Sequence, residues 1–228
     1  MEKKMPKATA KRLPVYLRYL KMLGDSGVKR IKSREFSEMI QIPSATIRRD
    51  FSHVGELGRS GYGYDVPYLI EVFSNILNTQ EEKRIALIGC GNLGKALLKN
   101  NFRRNENLNI VCAFDNDLAL VGTTINGLLV HDMSELEAFV RQEGVTVAIS
   151  TVPSHHAQKA IDKIVQAGVT AILNFAPDRV SVPANVSVQY IDLTTELQTL
   201  IYFNETFSLA NSPSNKIVFI KILYYTYY

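Results

Sequence analysis

The sequence predicts a two-part chain of the α/β class: a small helical N-terminal domain carrying a two-stranded wing, then a doubly wound parallel sheet. Three observations carry this. At 228 residues the chain is longer than the usual single domain of roughly 100–200. Charge is unevenly divided: residues 1–65 hold 14 Lys and Arg against 7 Asp and Glu, net +7, leaving −3 for the rest of a +4 chain. From Lys83 onward, short apolar runs alternate with stretches of helical period, as parallel strands joined by crossover helices do.

The first helix is expected from about Thr9 to Leu23, with Leu13, Tyr16, Leu17, Leu20 and Leu23 on one stripe. Pro14 is read as sitting near its first turn, where a missing N–H is tolerated, and Gly24 with the following DSG ends it. Ser33 is expected to cap a second helix over REFSEMI, with Phe36 and Ile40 inward, followed by a QIP turn. Ser44 is expected to cap a third, ATIRRDFSHV, burying Ile47 and Phe51. Helix, short helix, turn and helix in this spacing make a helix-turn-helix. The glycines at 55, 58, 61 and 63, with Tyr62 and Tyr64 alternating between them, predict a two-stranded wing. Residues 67–80 read as an amphipathic connecting helix, so residues 1–80 form the winged helix and the boundary falls at 80/81.

In the second part, RIALIG, LNIVCAFD, GLLVHD, VTVAIST, TAILNFA and NVSVQYIDL are the expected strands. Helices are expected after Gly94, over SELEAFVRQEG, over SHHAQKAIDKIVQAG and over TTELQTLIYF. Past Phe203 a polar loop leads to an aromatic run of about a dozen residues, too short for a membrane span of about 20.

The first strand runs into IGCGNLG, which places Gly89, Gly91 and Gly94 in the G-x-G-x-x-G arrangement, with Cys90, Asn92 and Leu93 between them. Gly89 turns tightly, Gly91 lets a pyrophosphate approach the backbone, and Gly94 lets the helix pack on the strand. Asp115 ends the second strand 21 residues later, where a carboxylate bonds both ribose hydroxyls and repels a 2′-phosphate. Residues 81–192 are therefore read as a Rossmann domain that takes NAD(H) in preference to NADP(H). Thr151, Val152 and Pro153 after the fourth strand, and Asn174 and Phe175 after the fifth, stand where ligands of open α/β sheets bind. Neither loop carries a hydride-transfer partner. His155 and His156 are read as capping or solvated, since neighbours on a helix point in different directions.

The basic N-terminal part calls for a polyanion. Lys11 and Arg12 on the first helix, Ser44, Thr46, Arg48 and Arg49 on the third, and Arg59, Gly61 and Tyr62 on the wing are the candidate contacts to double-stranded DNA. Cys90 and Cys112 form no close pair, which argues against zinc or a disulfide framework, and no metal site is expected. The basic, amphipathic opening has no uninterrupted apolar segment of a secretory signal, so a cytoplasmic protein without a membrane anchor is expected.

The segments PKATAKRLPVYLRYL, SATIRRDFSHVGELGRSGYGYDV, GCGNLGKALL, AFDND, STVPSHHAQ, ILNFAP and DLTTELQTLIYF resemble, in order, those of the Rex family of bacterial redox-sensing transcriptional repressors. The resemblance spans about residues 6–203. It implies no enzyme but a homodimer whose winged helices bind a palindromic operator, with NADH and NAD⁺ competing as regulatory ligands and repression lifting when the NADH/NAD⁺ ratio rises. It also implies that residues 193–205 form a helix swapped onto the partner subunit, that Asp192 lies near the partner's nicotinamide pocket, and that Arg18 links this region to the DNA-binding domain. The chain departs from the family at Asn100, where a tyrosine is common, at His53 and Val54, and in the aromatic tail 206–228. A paralogue with a weak NADH response is one alternative. The other, an NAD-dependent dehydrogenase with a basic appendage, lacks a substrate domain and an acid/base residue.

Overall fold

A computed structural model describes residues 5–59, 62–100 and 107–210, with the backbone alone for Arg59 and residues 205–210. The chain divides into two compact units between Gln80 and Glu81.

The N-terminal unit runs α1 (Lys7–Asp25), β1 (Arg30–Ile31), α2 (Ser33–Ile40), α3 (Ser44–Val54), β2 (Gly58–Arg59), β3 (Gly63–Asp65) and α4 (Val66–Ile76). Its sheet has the antiparallel order β1-β3-β2, with Ile31 opposite Tyr64 and Arg59 opposite Gly63. The wing therefore has a third strand, β1, whose two residues are too short to show a period of two. Tyr62 lies in the turn before β3 and not in a strand. Because α1 starts at Lys7, Pro14 sits two turns inside it, exposed, where its ring removes one helical bond. Neither Ser33 nor Ser44 caps through its hydroxyl: each is the first helical residue, after Lys32 and Pro43. Instead the Lys32 N–H donates to the Glu35 carboxylate at 3.0 Å.

Apolar stripes of all four helices meet in one core. Phe51 packs edge-on against Tyr16 at 5.5 Å, Phe73 at 5.3 Å and Tyr64 at 4.8 Å, so one ring joins α3 to α1, α4 and the wing. Inside this core lies a carboxylate. Asp50 of α3, 1% exposed, accepts from Arg12 Nε and Nη2 at 2.6 Å each, from Thr9 at 2.8 Å and from the Tyr16 hydroxyl at 2.5 Å. Burial alone would push its carboxyl up; the hydrogen bonds from Arg12, Tyr16 and Thr9 outweigh that and hold it below the usual carboxylate range.

The second unit runs β4 (Lys83–Ile88), α5 (Asn92–Asn100), β5 (Leu108–Asp115), β6 (Thr124–Ile125), β7 (Leu128–Asp132), a 3-10 turn (Met133–Glu135), α6 (Leu136–Glu143), β8 (Val147–Ser150), α7 (Ser154–Gln166), β9 (Ala171–Asn174), β10 (Ser187–Tyr190) and α8 (Leu193–Ala210). The sheet order is β10-β9-β8-β4-β5-β7-β6, parallel except for the β6–β7 hairpin. Without β6 this is the doubly wound order of the dinucleotide-binding fold, its topological switch lying between β4 and β8. Alternate residues of β4 feed opposite layers: Ile85 and Leu87 join Leu98, Ile110 and Val130, while Ala86 and Ile88 join Phe114, Leu136 and Ile161. The β6–β7 turn is Asn126-Gly127, both at positive φ (50° and 84°), a hairpin signal present in the sequence.

Between β9 and β10 the chain crosses without a helix. The Val180 N–H donates to the Tyr190 hydroxyl at 3.0 Å, and the Gln158 amide holds both the N–H and the C=O of Ser181, at 2.8 and 3.0 Å. The last helix extends to Ala210, past the expected end at 203–205, because no glycine or proline follows until Pro213. The aromatic tail lies outside the described residues beyond that point.

Replacing Asp50 with Ala strands the buried Arg12 guanidinium and is expected to cost the N-terminal unit about 3–5 kcal/mol in chemical denaturation. With the folded carboxyl held low, its stabilising contribution is present above the unfolded value near 4 and disappears as pH falls through the folded value. Wild-type stability should therefore drop steeply below about pH 4, and Asp50→Ala should lack that component.

Candidate nucleotide and nucleic-acid sites

The turn after β4 is shaped by what cannot fit there. Gly89 has φ +92°, and a Cβ on it would press on Thr151 and Val152 at 3.0–3.1 Å. A Cβ on Gly94 would collide with the Gly89 carbonyl oxygen, so α5 can start against β4 only with glycine at that place. Thr151 locks the arrangement by donating from Oγ1 to Gly89 O at 2.6 Å. Gly91 differs: a Cβ there meets nothing within 4 Å, and its backbone borders open space at the start of α5. The first-turn amides of that helix have no intrahelical acceptor and form an anion-binding terminus.

Asp115 closes the other side of the turn. Its Oδ2 accepts from the Cys90 N–H at 2.6 Å and its Oδ1 from the Asn116 and Asp117 N–H groups at 2.7 and 2.9 Å. A carboxylate has about four acceptor positions, so it can also take a ribose hydroxyl. The Cys90 thiol points inward, is fully buried, and is pushed up to about 12 by burial and then by the Asp115 charge. The loop offers the Cys90 backbone and no reactive sulfur.

Gly89, Cys90, Gly91, Asn92, Leu93, Gly94, Asp115, Thr151, Val152 and Pro153 thus gather at the switch between β4 and β8. Two expectations change. The Thr151 hydroxyl is committed to the glycine loop. Asn174, fully buried, ties its own loop by bonding Ala176 O and N at 3.2 and 3.3 Å, leaving half-buried Phe175 as the partly open member of that segment. Asp192 caps α8: it accepts from the N–H groups of Thr194 and Thr195 at 3.0 and 3.2 Å and from the Thr195 hydroxyl at 2.6 Å. The Thr195 hydrogen bonds hold its carboxyl below the usual range. The His155 and His156 rings lie 4.1 Å apart, touching instead of diverging, and both are exposed. No group of three or more metal-ligating side chains occurs among the described residues.

On the N-terminal unit, Lys11, Arg48 and Arg49 are exposed and Ser44 and Thr46 half-buried. Arg48 Nη1 bonds the Ser33 hydroxyl at 3.2 Å, bracing α3 from the start of α2. Arg12 does not belong to this surface. It is 6% exposed and spent on Asp50, because it shares the apolar stripe of Leu13 and Tyr16. Arg59 pairs through its backbone in β2, and Gly61 lies outside the described residues. Tyr62 is exposed, with the Arg30 guanidinium 4.7 Å above its ring. Arg30 adds a basic group at the wing that local sequence does not mark, since its strand is only two residues long.

Two family models match: one described as a putative DNA-binding protein N-terminus over residues 4–52, the other as a CoA binding domain over residues 80–178. The chain is 53% identical to the redox-sensing transcriptional repressor Rex of Latilactobacillus sakei, over 88% of this chain and 97% of that protein. It is 52% identical to the Rex of Listeria welshimeri, over 90% and 95%. Among solved structures it is similar to RSP, a Rex-family repressor, with TM-score 0.80 at 33% identity over 90% and 95% of the two chains. RSP in complex with NAD⁺ and operator DNA matches with TM-score 0.81 at 33% identity over 92% and 98%, and RSP with NADH with 0.81 at 32% identity over 90% and 97%.

The glycines make a stability prediction. Gly94→Ala, which must push α5 off β4, is expected to cost about 1–3 kcal/mol or more in denaturant melts. Gly91→Ala, with open space for its methyl, should stay within about 0.5 kcal/mol of wild type.

Proposed function

The chain belongs to the Rex family of redox-sensing transcriptional repressors, and from that premise we propose how its two units divide the work. It is a repressor and not an enzyme, binding operator DNA and using NAD(H) as a regulatory ligand. The observation that carries the division is that a winged helix and a dinucleotide turn with room at Gly91 occur in separate compact units.

Lys11, Arg48 and Arg49 supply the exposed cations of the DNA face, with Ser44 and Thr46 beside them and Arg59 and Tyr62 on the wing. Phosphate contacts by Lys11 and Arg59 make the affinity steeply salt-dependent, while Arg48 and Arg49 reach base edges. In the second unit, Gly91 admits the pyrophosphate, the first-turn amides of α5 donate to it, and Asp115 takes the ribose and disfavours a 2′-phosphate. Val152, Pro153 and Phe175 supply apolar surface for the nicotinamide. When bound, NAD(H) supplies a ring whose oxidation state is the signal. Repression lifts as the NADH/NAD⁺ ratio rises.

The working unit is a homodimer, which the exposed apolar residues Leu193, Leu197, Leu200, Ile201 and Tyr202 of α8 support. Its place is the cytoplasm, where operator and ligand meet; no helix among the described residues is long and apolar enough to cross a membrane. Asn100, exposed at the end of α5 where the family commonly has a tyrosine, favours a muted NADH response.

Arg59→Ala and Asp115→Ala test the division. The first is expected to weaken operator binding at least about tenfold and leave NADH affinity unchanged. The second should weaken NADH binding by about tenfold or more and leave ligand-free operator binding intact. Equal loss of ligand-free DNA binding in both variants would refute the assignment.

A further inference from the structure

We propose that Arg12 and Asp50 are positioning residues for operator recognition: without touching DNA, they fix the rotation of α3 about its axis and so aim Arg48 and Arg49. This rests on the DNA-binding reading given above.

The apolar side of α3 is made by Ile47 and Phe51 with half-buried Val54, and the hydrophobic effect itself is non-directional. Such a core holds a helix against its neighbours and tolerates volume-conserving exchange of its side chains, whereas a hydrogen-bonded network fixes particular atoms. Asp50 lies on that same inward side, between Ile47 and Phe51, and is fixed differently. Both of its oxygens are taken: Oδ2 by Arg12 Nε and the Tyr16 hydroxyl, Oδ1 by Arg12 Nη2 and the Thr9 hydroxyl. Four donors, all from α1, converge on one carboxylate, and the guanidinium grips it in fork geometry. Thr9, Arg12 and Tyr16 stand at i, i+3 and i+7, a single stripe of α1, so the grip refers α3 to one helix alone.

The residue immediately before Asp50 is Arg49. A rotation of α3 by about 20° would carry a side chain about 5–6 Å from the axis through about 2 Å, enough to break a base contact. The buried tetrad opposes that rotation with directional bonds, in addition to the packing of Ile47 and Phe51.

The test replaces the whole cluster with apolar groups, since removing one member would leave a buried charge and endanger folding. The variant carries Thr9→Val, Arg12→Met, Tyr16→Phe and Asp50→Leu in the full chain. The single variant Tyr16→Phe, which keeps the ion pair, serves as a milder second probe. Measured are melting temperature, NADH affinity, and affinity for a palindromic operator fragment over a series of salt concentrations. The proposal expects the quadruple variant to melt within a few degrees of wild type and to bind NADH normally. Operator affinity should fall by about tenfold or more, the scale of one misaligned base contact, with the salt slope unchanged. Tyr16→Phe should show a smaller loss in the same direction. Wild-type operator affinity in a folded quadruple variant overturns the proposal, as does a quadruple variant that no longer folds while Tyr16→Phe binds operator like wild type. A slope reduced by about one, which marks a lost phosphate contact, overturns it too. If the wild-type chain itself binds no operator, the repressor reading fails and takes the proposal with it, a result distinct from intact binding by both proteins.

Discussion

The second unit depends on one close approach, the start of α5 against the turn after β4. Only glycine at 94 allows it, since a Cβ there would occupy the place of the Gly89 carbonyl oxygen. The Thr151 hydroxyl then fastens that carbonyl from the end of β8, and the Asp115 carboxylate fastens the Cys90 amide from the end of β5. Three strand ends are drawn to one point, beside the switch between β4 and β8. Preorganisation follows: the turn proposed for the dinucleotide is already bonded in place, and Gly91 is its position with free space.

The N-terminal unit uses a different device. Its apolar core brings four helices together through large rings, above all Phe51. The charged cluster around Asp50 adds direction. Buried ion pairs seldom add net stability, because desolvation offsets their attraction. Their better attested use is specificity of arrangement, which is what a reading helix requires.

Much of this was legible in the sequence, for identifiable reasons. The helices and the six parallel strands repeat apolar residues at clear periods, and the glycine spacing with Asp115 marks the dinucleotide turn. What escaped notice was local or long-range. β1 is two residues long, and β6 was overlooked although Asn126-Gly127 marks its hairpin. Ser33 and Ser44 satisfy a capping preference by type, but Lys32 and Pro43 hold the cap positions. Arg12, expected among the DNA contacts, is buried instead, and its place on the stripe of Leu13 and Tyr16, matched by Asp50 between Ile47 and Phe51, is the signal of a buried pair. Thr151 and Asn174 were placed correctly at strand ends, yet which atoms they bind depends on contacts to Gly89 O and Ala176 that no local pattern encodes.

If the chain works as proposed, the nucleotide bound in the second unit governs DNA contact by the winged helix. That control is tested most directly by titrating a palindromic operator with the full-length protein at constant salt and constant total NAD(H) while the NADH/NAD⁺ ratio is varied. High affinity is expected when NAD⁺ predominates, with a progressive fall as NADH replaces it, made shallow by Asn100. An operator affinity that stays constant from all NAD⁺ to all NADH, with both ligands bound, would contradict it.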